Sequence, residues 1–342
     1  MITSVQYNPL VSVVVPVKDG GQTLDACLRS IKRSYYRNIE VIVVDDHSSD
    51  NSVEIAGRFR CTVIPAVGGH GANHARNLGA SHANGDILVF LDSDIVVARE
   101  TILGIVETLE EEGIDAVVGI YTARHRHETF VSQYKNLWVR YSYMKSPPAI
   151  DWLFGAISGI KRPAFEKLGG FNIDLLARYG NDDIELGKRF SQANLNIQLN
   201  MDIEVEHLKN YTLGSFILNE YRRSVGFAEL ATRFGETSQS FRRGFVNVYP
   251  VFVLSTVFSI LVVAIILASA EGVISDWYLP AAVGLYLLMN IRFLNYLEQV
   301  RGLFAMIVMI PFLFVDHVVC FAGSVVGIVR GILRRKKKTQ EI

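Results

Sequence analysis

The sequence predicts an α/β domain built on a mostly parallel sheet, followed by an apolar helical region toward the C-terminal end. Two patterns indicate this. Apolar, β-branched runs alternate with amphipathic segments over residues 11–121, and charged side chains become rare after residue 244. The 342 residues include 34 basic and 34 acidic side chains. Because nucleic-acid binders usually carry a basic excess, this balance predicts no nucleic-acid partner.

Several apolar runs have the length and composition of strands buried on both faces: 11–17, 39–44, 61–67, 86–91 and 116–121. Amphipathic helices are predicted between them: 24–31, 53–59, 72–83 and 100–111. This alternation is typical of a parallel sheet covered by helices on both faces. In such sheets ligands bind beyond the carboxyl ends of the strands, so polar residues at those ends are the candidates for function.

The C-terminal region is predicted to enter a membrane. Residues 244–270 contain no charged side chain, and this run of 27 residues exceeds the roughly 20 that a helix needs to cross a bilayer. A second apolar segment covers 277–291. A third, 302–329, contains Pro311 and Asp316, which is compatible with one long tilted span or with a hairpin of two short helices.

Basic residues flank both ends of this apolar region. They are Arg222, Arg223, Arg233, Arg242 and Arg243 before it, and Arg330, Arg334, Arg335, Lys336, Lys337 and Lys338 after it. Because Lys and Arg favour the cytoplasmic side, both ends are expected in the cytoplasm, which requires an even number of spans and favours the hairpin. Residues 1–10 show no signal-peptide pattern. We therefore expect the first domain on the cytoplasmic face, of the plasma or inner membrane if the source is prokaryotic.

These boundaries divide the chain into four predicted parts: a domain at 1–210, a helical linker at 211–243, a transmembrane region at 244–330 and a basic tail at 331–342. The linker has apolar residues at helical spacing from Leu213 to Ala231. It is predicted to lie in the membrane interface, or to pack on the preceding domain.

The glycine-rich segment at 68–71 can be compared with the motifs of two nucleotide-binding folds. His74 stands where a dinucleotide-binding fingerprint requires its third glycine, and the GK[ST] ending of a P-loop is missing. The sequence therefore disfavours a dehydrogenase and an NTPase.

Acidic residues follow two of the predicted strands. Asp45 and Asp46 follow the second strand, where a carboxylate can accept a hydrogen bond from a ribose hydroxyl or from the ring N–H of uracil. Asp92 and Asp94 flank Ser93 after the fourth strand, and in extended chain their side chains point the same way. Two converging anions favour a bound cation, and Mg²⁺ or Mn²⁺ prefers such oxygens. A helix cap and a solvated turn are the structural alternatives.

Further along the chain, Asp182 and Asp183 begin a predicted helix, where they either stabilise its first turn or supply a general base. His207 follows a strand-like segment at 197–205 and is a candidate third ligand for the same metal, or a structural histidine. An aromatic and basic segment at 130–143 contains Trp138, a candidate for an acceptor groove or for core packing.

Taken in order, the motifs resemble glycosyltransferase family 2, which comprises inverting nucleotide-sugar transferases with the GT-A fold. The resemblance runs from about Pro9 to Tyr221. The motifs are VSVVVPVKDGGQTLDACLRSI, IEVIVVDDHSSDNSVE, GANHARNLGA, DILVFLDSD, AFEKLGGF and GNDDIELGKRF. No one of them is decisive alone, but their order is highly specific.

The resemblance implies a role for each matching residue. The nucleotide-sugar contacts are Pro16, Val17, Asp19, Asp45, Asp46, Arg76, Asp92 and Ser93. Asp94 is the main metal ligand, with Asp92, and Asp183 is the catalytic base. The acceptor region comprises Gly169, Gly170 and Asp182, the last of which replaces the family's usual Glu. The arguments above add His207 to the metal ligands and Trp138 to the acceptor region.

The implied activity is the metal-dependent, inverting transfer of one sugar from a nucleotide sugar to a hydroxyl of a membrane lipid or lipid-linked glycan. UDP-sugar is favoured because Asp46 suits uracil, with GDP-sugar as the other option. The QxxRW motif of processive synthases is missing, since NEYRRSVGF follows His207 instead, and this predicts addition of a single sugar. Self-association into a homo-oligomer is left open.

Two other functions remain as alternatives. A polyprenyl-phosphate sugar synthase of the dolichyl-phosphate type has an acceptor that is already an anion, so it needs no base. A non-catalytic membrane scaffold that only binds nucleotide sugar is disfavoured, because Asp92, Asp94 and Asp183 are all present.

Overall fold

The computed structural model describes residues 8–127, 129–173, 181–235 and 248–340, with side chains up to residue 334. The chain divides into two compact units. The first unit comprises Met1–Arg126, Ser146–Ala177 and Asp182–Lys209. The second unit comprises His127–Lys145, Arg178–Asn181 and Asn210–Ile342.

The described strands form one sheet in the first unit. They are β1 (Val11–Val17), β2 (Ile39–Asp45), β3 (Thr62–Pro65), β4 (Ile87–Leu91), β5 (Ile95–Val97), β6 (Ala116–Tyr121), β7 (Ala149–Ile150), β8 (Ile157–Lys161) and β9 (Ile197–His207). Their order is β3-β2-β1-β4-β8-β6-β9-β5, and β7 pairs with β9. Strand β1 lies inside the sheet and is buried along its whole length, as its continuous apolar composition predicts.

The described helices belong to both units. In the first unit they are α1 (Leu24–Lys32), α2 (Ser52–Gly57), α3 (Ala72–His82), α4 (Thr101–Glu110), α6 (Arg162–Lys167) and α7 (Asp182–Gln192). In the second unit they are α5 (Phe130–Met144), α8 (Leu213–Arg233), α9 (Pro250–Ala270), α10 (Tyr278–Met289), α11 (Ile291–Arg301) and α12 (Leu303–Gln340).

The predicted fold class, α/β with a mostly parallel sheet, is confirmed, and the sheet also contains antiparallel strands. Strands β3, β2, β1 and β4 are parallel, as are β6 and β9, whereas β8 runs antiparallel to both of its neighbours. The sequence did not reveal β8, because it is short and contains Gly159. A Cβ at that glycine would collide with Ile105 of α4, so the glycine permits close packing of the helix on the strand.

The strand register brings the polar strand ends together. Val17 pairs with Asp45 across β1 and β2, and Val14 pairs with Phe90 across β1 and β4. Because these strands are parallel, their carboxyl ends meet at one edge of the sheet. Asp46 and Asp92, which directly follow β2 and β4, therefore lie at the same edge.

In the second unit, a row of glycines brings α8 against α12. A Cβ at Gly323 would lie 2.7 Å from the carbonyl oxygen of Tyr221, and a Cβ at Gly331 would lie 2.7 Å from Cβ of Thr232. A Cβ at Gly327 would collide with the carbonyl oxygen of Val225. Small residues spaced four apart allow two helix backbones to approach closely. The predicted linker helix thus packs on a helix about a hundred positions later in the chain.

Two helices of the described residues are long and apolar enough to cross a membrane: Pro250–Ala270 and Leu303–Arg334. The hairpin favoured for 302–329 is wrong, because α12 is continuous through Pro311 and Asp316. Proline removes only one helical hydrogen bond, and the carboxylate of Asp316 accepts a hydrogen bond of 2.7 Å from Tyr134 Oη. Neither residue therefore requires a turn. The basic residues Arg242 and Arg243 lie outside the described residues.

Candidate active site

The loops after β1 and β2 are tied together by short hydrogen bonds. Asp19 adopts a left-handed backbone conformation, with φ of 51°. Its carboxylate accepts hydrogen bonds from the backbone N–H of Ser49 at 2.7 Å and from Oγ of Ser49 at 2.9 Å. These bonds lower the pKa of Asp19. Asp45 accepts a hydrogen bond from the N–H of Ser48 at 3.2 Å, so both predicted nucleotide contacts help to shape this loop pair.

Asp46 has one buried carboxylate oxygen without a hydrogen-bond partner among the described residues. Its side chain lies at the edge where β2 ends, and only 6% of the residue is exposed. Oδ2 accepts a hydrogen bond from the N–H of Gly71 at 3.0 Å, whereas no described residue donates to Oδ1. An unsatisfied buried acceptor is costly, and a ligand N–H would satisfy it.

Two histidines lie beside Asp46, and the sequence arguments had not assigned them. The rings of His47 and His70 are 4.4 Å apart, and one ligand atom from each of Asp46, His47 and His70 falls within 4.8 Å of the others. His47, which follows β2 in the chain, has a left-handed backbone conformation with φ of 59°. The signal in the sequence is a histidine directly after the acidic pair, together with one in the glycine-rich segment.

Arg76 joins the acidic residues of two distant segments. Its Nη2 donates to Oδ1 of Asp92 at 2.8 Å, and its Nη1 donates to Oδ2 of Asp182 at 2.7 Å. The guanidinium is 5.4 Å from the centroid of the Phe171 ring, and the arginine is 5% exposed. Burial alone would lower the pKa of Arg76, but the charges of Asp92 and Asp182 outweigh it and raise the pKa. Arg76 therefore stays charged, and its assignment to the diphosphate remains a prediction.

The paired glycines determine where Phe171 lies. Gly169 and Gly170 have φ values of 71° and 72°, which favour glycine strongly. The turn is held by Asn77, which accepts from the N–H of Phe171 at 2.9 Å and donates to its carbonyl oxygen at 2.8 Å. Arg189 donates to the carbonyl oxygen of Gly170 at 2.7 Å. The observed role of this turn is to hold the ring beneath Arg76, and its part in acceptor binding remains a prediction.

Asp94 and His207 meet because β5 pairs with the end of β9. Ile95 is opposite His207 in this antiparallel pair, and Asp94 Oδ2 lies 3.4 Å from His207 Nε2. The His207 ring stacks on Tyr121, with centroids 4.6 Å apart. Asp92, Asp94 and His207 are not among the described trios whose ligand atoms all lie within 4.8 Å of one another.

Asp92 and Asp94 have opposite pKa shifts. Burial raises the pKa of Asp92, which Arg76 opposes and the negative charge of Asp94 reinforces. Burial also acts to raise the pKa of Asp94, but His207 outweighs it and lowers the pKa. The side chains remain 37% and 27% exposed, respectively. Two partly exposed carboxylates that repel each other provide the oxygen donors that a hard divalent cation prefers.

Backbone donors orient Asp183 at the start of α7. Its Oδ2 accepts from the N–H of Gly155 at 2.7 Å, and its Oδ1 accepts from the N–H of Ile184 at 2.9 Å. A Cβ at Gly155 would lie 3.1 Å from Nη2 of Arg76 and 3.4 Å from Oδ2 of Asp183. Arg76 and Asp183 therefore flank the same glycine, close to Asp182.

The first unit thus brings most of the predicted residues to one edge of its sheet. Helix α3 links the two ends of the edge, because Gly71 contacts Asp46 and Arg76, a turn and a half further on, contacts Asp92. Pro16 and Val17 end β1 beside this edge, and Ser93 Oγ would be 3.3 Å from a Cβ at Gly20. Trp138 belongs to the second unit instead, where its ring stacks on Phe252.

Comparisons with known proteins identify a family domain in the first part of the chain. Residues 12–169 match the model of "Glycosyl transferase family 2", and residues 136–211 match "N-terminal domain of galactosyltransferase". The glycosyltransferase GlyG of Streptococcus pneumoniae is 38% identical over 119 residues, which are 33% of this chain and 40% of that protein. The probable glycosyltransferase YdaM of Bacillus subtilis is 27% identical over 195 residues, 52% of this chain and 46% of that protein. The matches thus span less than half the length of these relatives.

Among solved structures, a mannosyltransferase from Pyrobaculum calidifontis in complex with GDP-Man and Mn²⁺ is similar in fold. The TM-score is 0.57 at 21% sequence identity, and the match covers 96% of this chain and 88% of that one. The motif order, the mixed sheet and these matches agree, so residues 12–169 are a glycosyl transferase family 2 domain, and the fold is of the GT-A type.

Proposed function

We propose that this chain transfers one sugar from a nucleotide sugar, preferably a UDP-sugar, to a hydroxyl group of a membrane lipid or lipid-linked glycan. The proposal rests on one observation: at the edge of the sheet, Arg76 donates hydrogen bonds to both Asp92 and Asp182. Asp94 and Asp183 lie beside this cluster. This arrangement offers separate acidic groups for a cation and for proton transfer within one unit.

The donor is held by the loops after β1, β2 and β4. Oδ1 of Asp46, buried and without a donor among the described residues, would accept the ring N–H of uracil. The hydrogen bonds of Asp19 and Asp45 keep the two loops in place around the nucleoside. Guanine also presents a ring N–H, so the same atom leaves GDP-sugar as the competing donor.

A divalent cation fits the donor set of Asp92, Asp94 and His207, which supplies carboxylate oxygens and an imidazole nitrogen. Mn²⁺ accepts both ligand types, and Mg²⁺ prefers the oxygens. When bound, the cation supplies positive charge for the leaving diphosphate. The similar mannosyltransferase structure contains Mn²⁺ with its nucleotide sugar, which supports a divalent ion here.

Asp183 is the proposed general base. A sugar hydroxyl is a poor nucleophile at neutral pH, and a positioned carboxylate can accept its proton during attack. The backbone N–H groups of Gly155 and Ile184 hold this carboxylate in one orientation. Attack opposite the leaving diphosphate, in a single displacement, inverts the anomeric carbon.

The first experiment measures binding and hydrolysis of a panel of UDP- and GDP-sugars by the detergent-purified full chain, with Mn²⁺ or Mg²⁺. We expect one UDP-sugar to bind in the presence of a divalent ion. If no donor binds with either ion, the catalytic proposal fails and the scaffold alternative gains support.

The second experiment compares Asp183→Asn with the unaltered chain. For a hydroxyl acceptor, transfer should fall by about 10²-fold or more while donor binding is kept. Asp202→Asn, at an exposed position of β9, is the matched control. Near-normal transfer by Asp183→Asn would instead favour the polyprenyl-phosphate alternative, whose acceptor needs no base.

A further inference from the structure

The first unit contains a second group of possible metal ligands, which shares no residue with the set proposed for the catalytic cation. Asp46 and His47 follow β2, and His70 lies in the glycine-rich segment before α3. One carboxylate oxygen and one ring nitrogen from each histidine all lie within 4.8 Å of one another. Asp46 is buried and both histidines are exposed, so the group lies at the surface with one anchored ligand.

The carboxylate of Asp46 is oriented, but one of its oxygens is unused. Oδ2 accepts the hydrogen bond from the N–H of Gly71 at 3.0 Å, and no described residue donates to Oδ1 although the residue is only 6% exposed. Carboxylates that ligate a metal are usually held by such an additional hydrogen bond. A cation at Oδ1 would compensate this buried anionic oxygen.

The ring of His47 is held in a similar way. Its Nε2 lies 3.4 Å from the carbonyl oxygen of Gly69, which can only accept, so Nε2 carries the hydrogen in this contact. Nδ1 then has a free lone pair, and a histidine that ligates a metal commonly donates its other ring N–H to a carbonyl. The exposed ring of His70 lies 4.4 Å from that of His47, centroid to centroid.

The loop that carries His70 is fastened beside the end of β2. The N–H of Ala66 donates to the carbonyl oxygen of Asp45 at 2.9 Å, and Nε2 of His74 lies 3.3 Å from the carbonyl oxygen of Val67. Together with the contacts of Gly69 and Gly71, these bonds hold two segments more than twenty positions apart against each other. The ligands are therefore brought together by the fold.

The ligand types select the ion. Two imidazole nitrogens with one carboxylate suit Zn²⁺, whereas Mg²⁺ and Ca²⁺ prefer oxygen ligands alone. Around a tetrahedral zinc ion with ligand distances of about 2.0–2.2 Å, the ligand atoms lie about 3.4 Å apart. Because both rings are exposed, a small rotation is enough to reach this spacing. A water molecule would complete the four ligands.

We propose that Asp46, His47 and His70 bind a zinc ion, and that the bound ion excludes the base of the nucleotide sugar. Oδ1 of Asp46 is the atom proposed above to accept the ring N–H of the base, and an oxygen that ligates zinc cannot also serve the base. The exclusion therefore rests on the proposed function, whereas zinc binding itself does not. Zinc would act as a reversible inhibitor of donor binding.

The first test titrates Zn²⁺ into the detergent-purified full chain by calorimetry, without nucleotide. We expect His70→Gln to weaken zinc binding by at least about 10-fold, since losing even an outer partner of a metal ligand costs about 10–100-fold. His47→Gln is the second variant, and His82→Gln, at an exposed histidine of α3, is the matched control. All three are repeated with Asp94→Asn, so that zinc at the catalytic cation set does not obscure the result. Equal zinc affinity in the two variants and the control would overturn the site.

The second test measures UDP-sugar binding with free Zn²⁺ fixed by a chelator buffer. Zinc should weaken binding by about 10-fold or more in the unaltered chain and in His82→Gln, but not in His70→Gln. No effect of zinc, or an equal effect in both variants, would overturn the exclusion of the base. If no UDP-sugar binds even without zinc, the proposed function and the exclusion fail together, and calorimetry still decides the zinc site.

Discussion

In the first unit the buried guanidinium of Arg76 is shared between Asp92 and Asp182, whereas in the second unit the buried ammonium of Lys135 pairs with Glu220, whose carboxylate lies within 4.8 Å of that of Asp316. The first cluster has an excess of acid, and Asp92 keeps 37% of its side chain exposed. The cluster in the second unit also holds two acids for one base, but it is closed to solvent: the side chains of Lys135 and Glu220 are only 7% and 5% exposed, and Asp316 is fully buried. The difference teaches that buried charge alone does not mark a reactive site. An incomplete balance that opens to solvent marks one better, because it leaves a charge for a ligand to neutralise.

The strongest test of this contrast is Arg76→Met. Its loss leaves Asp92 and Asp182 without their shared cation, and we expect the free energy of unfolding to fall by about 3–5 kcal/mol. Denaturant titration in detergent measures it. Arg29→Met is the control, since the exposed pair of Arg29 with Asp25 should contribute about 0–1 kcal/mol. Equal losses in the two variants would show that the Arg76 cluster is not a tightly coupled unit.

Asp94→Asn sharpens the functional side of the comparison. Removing one carboxylate charge from the predicted cation site should reduce donor turnover by about 10²–10³-fold, the range found when a single group that stabilises the transition state is lost. It should also weaken Mn²⁺ binding, measured by titration calorimetry. Asp202→Asn should leave both unchanged. Normal Mn²⁺ affinity in Asp94→Asn would remove Asp94 from the ligand set.

Gly327→Ala probes the helical packing of the second unit. The added methyl group would collide with the carbonyl oxygen of Val225, so α8 and α12 must separate, at a cost of about 1–3 kcal/mol in the free energy of unfolding. Gly284→Ala in α10 is the control, because nothing lies within 4 Å of a Cβ there. Urea titration of both variants measures the change in the free energy of unfolding. A neutral result at Gly327 would mean that the helices are less closely packed than described.

Tyr134→Phe should have the smallest effect. It removes the hydrogen bond to Oδ2 of Asp316 but leaves the one that Cys320 donates to Oδ1 at 3.2 Å. We expect a loss of about 1 kcal/mol in stability with unchanged hydrolysis of the nucleotide sugar. Tyr35→Phe, at an exposed tyrosine, should change neither quantity. A large fall in hydrolysis would contradict the distinction between the two kinds of buried charge.

Local patterns predicted much of the first unit. The apolar runs predicted β1 and β6 with their observed bounds. Parallel-strand geometry predicted that the acidic residues after β2 and β4 lie at the same edge of the sheet. The contact of Arg76 with Asp182 joins positions 106 apart, and no local pattern specifies such a pairing. The strand β8 was missed because its five residues include Gly159 and form only a weak apolar pattern.

The second unit was harder to predict. Charge counting identified α9 and α12 as apolar, but it could not show whether Pro311 breaks α12, because the outcome depends on what surrounds the helix. The spacing of Gly323, Gly327 and Gly331 was present in the sequence as a signal for close helix contact. Identifying the partner helix required coordinates, since glycine spacing specifies no second helix.

The contact between α8 and α12 has a consequence for synthesis on the ribosome. About a hundred residues separate Tyr221 from Gly323, so α8 is translated long before the helix that covers it. At translation rates of roughly 5–20 residues per second, the apolar face of α8 waits about 5–20 s for its partner. During that interval a nascent-chain chaperone or the membrane surface must shield it. A chain truncated before Gly323 would leave the same face bare permanently.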